Sequence, residues 1–256
     1  MAEERQENYT IMEGDELPSR GEIYDVKVNK HVELRSMTAR DEMKRLSPST
    51  TPLKTLADII EGCMIEKPAI HVYDMALADY EYLLHKLRIV TYGPTYKVTT
   101  RCPECGEMLE VNANLDDLDL KEFNIDKFNE LREFSLPNSG KRITLHFLTP
   151  RLLDEIENKT KDMQRKYKGA SFDFETLIKL ELCIDTIDGE KLSISDLDTA
   201  INNLPAADFT KILNNMDTLN QSFGLDNQLY LTCNKCGAEF VNFFRFGPEF
   251  FRPTTI

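Results

Sequence analysis

Thr100-Arg101-Cys102-Pro103-Glu104-Cys105-Gly106 and Leu231-Thr232-Cys233-Asn234-Lys235-Cys236-Gly237 are two copies of one CxxCG turn. Each lies between segments of strand composition, Tyr96 to Thr100 and Met108 to Asn112 around the first, Leu229 to Thr232 and Ala238 to Phe246 around the second. Two residues between the cysteines let both thiolates turn toward one point, while backbone amides of the turn, freed by the glycine, face the sulfurs. That is the form of a zinc knuckle, and two knuckles complete a tetrahedral site of Cys102, Cys105, Cys233 and Cys236. The competing reading is a pair of disulfides or buried thiols. Nothing marks the chain as secreted, however, and a reduced thiol quartet at this spacing selects metal. Four thiolates leave no open coordination position, so the expected zinc ion is structural and not catalytic.

Between Cys105 and Cys233 lie 127 residues, far more than a zinc ribbon needs to close. Either something sizeable is inserted or the chain is duplicated, and alignment of the two knuckles favours duplication. Tyr92-Gly93 precedes Cys102 at the spacing at which Phe223-Gly224 precedes Cys233, nine residues from Gly to Cys. Upstream, Leu17-Pro18-Ser19-Arg20-Gly21 is echoed by Leu136-Pro137-Asn138-Ser139-Gly140. Each is followed by a strand and then by Met37-Thr38-Ala39-Arg40 or Leu148-Thr149-Pro150-Arg151. Thr55-Leu56 with Cys63 answers Thr176-Leu177 with Cys183, one residue shorter. The expected fold is α+β: two tandem copies of a hairpin plus three-helix module, joined by a split four-cysteine zinc ribbon. The expected boundaries are an acidic mobile arm at 1–16, module one at 17–112, a connector at 113–135, module two at 136–247 and a tail at 248–256.

With 256 residues the chain can bury a substantial core. Its net charge of −13 opposes a phosphate-binding surface, which needs clustered Lys and Arg, and suits a binder of other proteins. No apolar run approaches the ~20 residues of a membrane span, and the polar start Met1 to Asn8 is the reverse of a signal peptide.

Turn chemistry at Leu17 to Gly21 precedes an alternating hairpin of Glu22 to Tyr24 and Val32 to Arg35. Thr38 with Asp41-Glu42 opens a helix over Ala39 to Leu46. Leu56, Ile59, Ile60, Cys63 and Met64 form one face of a helix over Leu53 to Ile65, and Asp74 caps a longer one with its stripe from Leu77 to Leu87. Leu115, Leu118, Leu120, Phe123 and Phe128 punctuate the acidic connector, which reads as short helical turns on the module surface. The second copy repeats the plan with a strand over Ile143 to Phe147 and helices over Arg151 to Tyr167, over Phe174 to Ile187 and from Ser195. The last helix opens at Ala206 and carries Phe209, Ile212, Leu213, Met216 and Leu219. Leu77 to Leu87 is expected to match Phe209 to Leu219.

No catalytic constellation emerges. Ser139-Gly140-Lys141 lacks the upstream glycine of a phosphate loop, and Asp185 to Gly189 lacks the first and last ligands of a calcium loop. His31, His71, His85 and His146 are scattered, and Cys63 and Cys183 sit at matching helix positions expected to be buried.

The order Leu17-Pro18, Gly21, strand, Thr38 with Asp41-Glu42, helix, Leu83-Leu84, Leu87-Arg88, Thr91-Tyr92-Gly93, Tyr96 and Cys102-Pro103 with Cys105-Gly106 resembles the baseplate hub assembly proteins of T-even-type contractile-tailed phages. The second half, through Asp188-Gly189-Glu190 and Leu204 to Asp208, extends the resemblance. It implies a non-enzymatic phage tail protein that forms or helps assemble the central baseplate hub through contacts with other hub or tail proteins. It would be found in the host cytoplasm during assembly and in the tail baseplate if it stays in the particle. The alternative is a zinc-ribbon nucleic-acid or transcription accessory protein, against which stand the charge and the few basic residues near the knuckles, Lys97, Arg101 and Lys235. The final 17 residues hold six of the chain's 14 phenylalanines. In a strand, Phe243 and Phe244 face opposite ways. Beyond Gly247-Pro248, Phe250, Phe251 and Arg252 are expected to dock on another protein or another copy.

Overall fold

In each half a tight loop is held by an aspartate from the first turn of a distant helix. The computed structural model describes residues 10–244, 246 and 248–251. β1 (Ile11–Glu16) pairs antiparallel with β2 (His31–Arg35). After the loop that joins them come α1 (Ala39–Leu46), α2 (Pro52–Cys63) and α3 (Leu77–Tyr92). Thr38 and Asp41 cap α1 reciprocally, and Pro52 starts α2 where a missing N–H costs nothing. The first knuckle is the hairpin of β3 (Thr95–Arg101) and β4 (Met108–Asn114). β5 (Leu120–Lys121), α4 (Ile125–Arg132) and β6 (Glu133–Ser135) lead to the second half. There follow β7 (Arg142–Leu145), α5 (Pro150–Lys166), α6 (Phe174–Cys183), β8 (Ile184–Ile187), α7 (Ile194–Asn202) and α8 (Ala206–Gln221). β9 (Gly224–Leu225) precedes the second knuckle, β10 (Gln228–Thr232) with β11 (Glu239–Phe243). The architecture is α+β. Among the described residues the strands form four two-stranded sheets and one three-stranded sheet, β6-β7-β8.

Two hydrophobic cores lie side by side. One gathers most of the buried residues between Leu17 and Leu115 together with Phe244, Phe250 and Phe251, the other those from Phe123 to Phe223 together with Ile23, Ala76 and Ala78, with Tyr24 and Leu77 packed against both. Several features recur in the two halves. Asp79, third residue of α3, accepts the Ser19 N–H (2.9 Å) and hydroxyl; Asp208, third residue of α8, accepts the N–H groups of Asn138 and Ser139 (2.9 Å each). α3 and α8 are both 16 residues long. Thr38 caps α1 as Thr149 caps α5. Cys63 and Cys183, both fully buried, end α2 and α6, and the residue after each pairs with the preceding strand, Met64 with Leu34 and Ile184 with Leu145. The aspartates place Leu77 opposite Ala206, three residues from the register expected from the apolar stripes, and a two-residue excess before Gly224 restores the spacing to the knuckle.

Several expectations are corrected. The partner of β2 is not Glu22 to Tyr24, which lies in turns, but Ile11–Glu16, inside the segment expected to be a mobile arm. Residues 1–9 lie outside the described residues. α6 ends at Cys183 because Ile184-Asp185-Thr186-Ile187, with three β-branched residues, adds an edge strand to β7, where module one makes a single bridge. Asp74 does not cap α3, whose N-cap is Ala76; it closes a 3₁₀ turn over Val72–Asp74 and pairs with Arg151. The connector is not a surface layer: Leu115, Phe123 and Phe128 are core residues, and the Phe128 ring meets Phe123, Phe147 and Phe223. Finally, Phe250 and Phe251, expected on a partner's surface, are fully buried in the first core of their own chain, with Phe250 against Tyr96 and Phe246. A 3₁₀ turn over Pro248–Phe251 brings both rings back onto the module. Arg252 lies outside the described residues.

Candidate metal centre

The first knuckle is set by a buried arginine. Arg88, near the end of α3, is fully buried and donates to the carbonyls of Gly93 (2.8 Å) and Thr95 (3.2 Å), its guanidinium lying over the rings of Tyr92 and Tyr96. It thereby fixes the exit of the helix into β3. The second knuckle is anchored at Gly224, where φ is 98° and a Cβ would stand 2.8 Å from that of Ala78. Backbone there passes too close to α3 for any side chain.

Within each turn the same hydrogen bonds recur. Cys102 donates its N–H to Glu107 and Gly106 to Cys102, at 2.8 and 3.0 Å. Cys233 donates to Ala238 and Gly237 to Cys233, at 2.8 and 2.9 Å. Both glycines have positive φ, 70° and 74°. The first cysteine of each pair is buried and the second exposed, and Leu109, Val111, Ala238 and Phe240 pack around the buried two.

The two turns meet. All four Sγ atoms lie within 4.8 Å of one another, with Cys102 3.7 Å from Cys236 and Cys105 3.6 Å from Cys233. The first cysteine of each knuckle thus faces the second of the other, a two-fold exchange. These separations are far from the ~2.05 Å of a disulfide. They match the ~3.8 Å edge of a tetrahedron of sulfurs each ~2.3 Å from a zinc ion. Lys235 on one turn reaches Glu107 on the other at 2.5 Å.

Backbone amides and neighbouring sulfurs act unequally on the four thiols. N–H groups of Cys236 and Lys235 point at the Cys233 sulfur and bring its pKa down to about 7. Cys236, although it accepts the Ala238 N–H, is pushed up to about 12 by the Cys105 sulfur beside it. Four sulfurs this close cannot all carry charge without a cation among them, and the all-thiolate donor set suits a soft, four-coordinate metal ion rather than calcium or magnesium. By contrast Cys63, whose thiol faces the Asp41 carboxylate at 4.0 Å, and Cys183 lie outside the cluster, raised by burial to about 11 and about 12. His85, pushed down to about 4 by burial, holds the Leu115 carbonyl through Nε2. Sequence reasoning singled out the four cysteines as a site; Arg88 and Asp208 entered it only as residues that carry the resemblance, with no role, and Asp79 not at all, because their roles appear only when burial is known.

Fold and site together define an α+β protein whose distant halves converge on a four-cysteine cluster. The T4 bacteriophage base plate protein family matches residues 15–252, and the chain belongs to that family. Neither a curated protein nor a solved structure matches it. Among the described residues no helix is long and apolar enough to cross a membrane.

Proposed function

We propose that the protein is a structural component or assembly factor of the central baseplate hub. In this reading it is a duplicated module whose halves are locked together by one zinc ion on Cys102, Cys105, Cys233 and Cys236. The observation that carries the reading is the convergence of two sulfurs from each half into one tetrahedron-sized cluster in a baseplate-family chain. Zinc would supply a cross-link of four coordinate bonds and no open site for chemistry. The matching loop-aspartate pairs and matching caps support two modules, over 17–112 and 136–247, descended from one. Work of this kind is done by surfaces rather than by catalysis, with other tail proteins as partners. Family membership and the net charge of −13 support protein rather than nucleic-acid partners. Purified virions and hub assembly intermediates analysed by mass spectrometry test the role. Presence in the particle, or copurification with hub subunits, supports it; retention on nucleic acid at moderate salt without any tail protein contradicts it.

A further inference from the structure

One contact between the halves is made only once. α5 of the second half lies against α2 and the 72–74 turn of the first. There Asp154 is buried, accepting the Lys54 N–H (3.2 Å) and the Tyr73 hydroxyl (3.0 Å), and Arg151 pairs with Asp74 over the Tyr73 ring. Tyr73, Met75, Tyr80 and Leu84 are all buried in the first core, and Tyr73 forms part of this seat.

The same place on the second half is open. Counted from the matching aspartates and cysteines, Ala57, Met75, Tyr80 and Leu84 correspond to Leu177, Leu204, Phe209 and Leu213. All four of these are only half-buried. With Phe172 and Ile201 they line a groove of about 470 Å³ between α6, α7 and α8. Phe172 stands 53% exposed at its mouth.

The counterpart of α5 is α1. Counted from the capping threonines, Asp154 corresponds to Met43 and Arg151 to Arg40. Met43 is 64% exposed and Leu46, one turn on, 66%. The chemistry changes in step on both sides. Within the chain a carboxylate enters a seat that offers an N–H and a hydroxyl; the unfilled groove is lined mainly by apolar side chains, with Asp173, Thr176 and Asn202 beside them, and the knob that would fill it is apolar. Arg40 and Lys44, both exposed, flank the knob, and Asp173 lies at the groove's lip.

We propose that the groove between α6, α7 and α8 receives α1 of a second copy of this chain, with Met43 as the inserted side chain, repeating between molecules the contact that α5 makes between halves. Such a head-to-tail contact leaves a free knob at one end and a free groove at the other, so it adds further copies into a ring or a filament. The proposal rests on the correspondence of the two halves, but not on the metal or the hub role, because its readout is self-association of the purified protein.

Sedimentation velocity of the purified full-length protein over a range of concentrations tests it. The wild type associates beyond the dimer. Met43→Glu and Phe172→Glu, each changing an exposed side chain, stay monomeric alone. Mixed in equal amounts they form a dimer and nothing larger, because one copy keeps its groove and the other its knob. Circular dichroism shows that each variant is folded. A wild type that stays monomeric at every concentration overturns the proposal, as do a Met43→Glu variant that associates like wild type and a mixture that stays monomeric.

Discussion

Asp79 and Asp208 do the same structural job with opposite electrostatics. Burial pushes the Asp79 carboxyl up, against hydrogen bonds from Ser19 and Tyr24. Burial also opposes the charge of Asp208, but the N–H groups of Asn138 and Ser139 win and hold its pKa below the usual carboxylate range. The signs follow from linkage. With an unfolded pKa near ~3.9, a raised folded value gives a contribution that is full in acid and fades as pH rises, whereas a lowered value gives one that is full above ~3.9 and lost below it. Comparing Asp79→Asn and Asp208→Asn with wild type by urea unfolding across pH should therefore show the deficit of Asp208→Asn shrinking toward acid while that of Asp79→Asn does not. Asp79→Ala, which strips partners from a buried N–H and two hydroxyls, should cost on the order of 3 kcal/mol at neutral pH by the same measurement. Neither aspartate could be told from other acidic residues in the sequence, because a charge that reaches back across some 60 or 70 residues carries no local pattern. Cysteine spacing, by contrast, is fixed by the turn itself, and that is why the four-cysteine cluster was legible.

At the scale of elements, the chain ends show where local reading fails. Phe250-Phe251 on a short terminal stretch looks like an unpartnered anchor, yet both rings complete the first core, a long-range fact that no window of sequence holds. Phe250→Ala is expected to cost ~3–5 kcal/mol, as deletion of a fully buried aromatic does, read by thermal or urea unfolding of the isolated protein. The alternation rule did work along β11 and one residue past it: Phe243, its last residue, is 57% exposed and Phe244, the next, is buried. Helix over Phe174 to Ile187 failed at its last four residues because apolar runs do not distinguish a helix end from a strand, and the pairing of β8 with β7 decides. The junction of β9 with α3 gives a sharper test. Gly224→Ala should lose about 2–4 kcal/mol, the left-handed backbone penalty plus overlap with Ala78, while Gly93→Ala, also at positive φ but with nothing within 4 Å, should lose only about 1–2.

For the whole molecule, the question is what keeps two cores in one arrangement. Backbone pairing of β5 with β9, the Leu77 N–H to the Leu148 carbonyl and the seat of Asp154 on α2 all tie them. The cysteine cluster adds a tie across more than a hundred residues of chain, and metal binding worth ~10–16 kcal/mol at such sites would make it part of folding. The echoed loops and matched spacings that suggest a duplication were legible in the sequence. The relative placement of the halves was not, since it depends on side chains that no repeat predicts. Native mass spectrometry of the metal-replete protein is the most direct test of the account. It predicts one zinc ion per chain, lost in Cys233→Ser together with a marked fall in melting temperature; a wild type that binds no zinc, or a Cys233→Ser variant that melts where the wild type does, would contradict it.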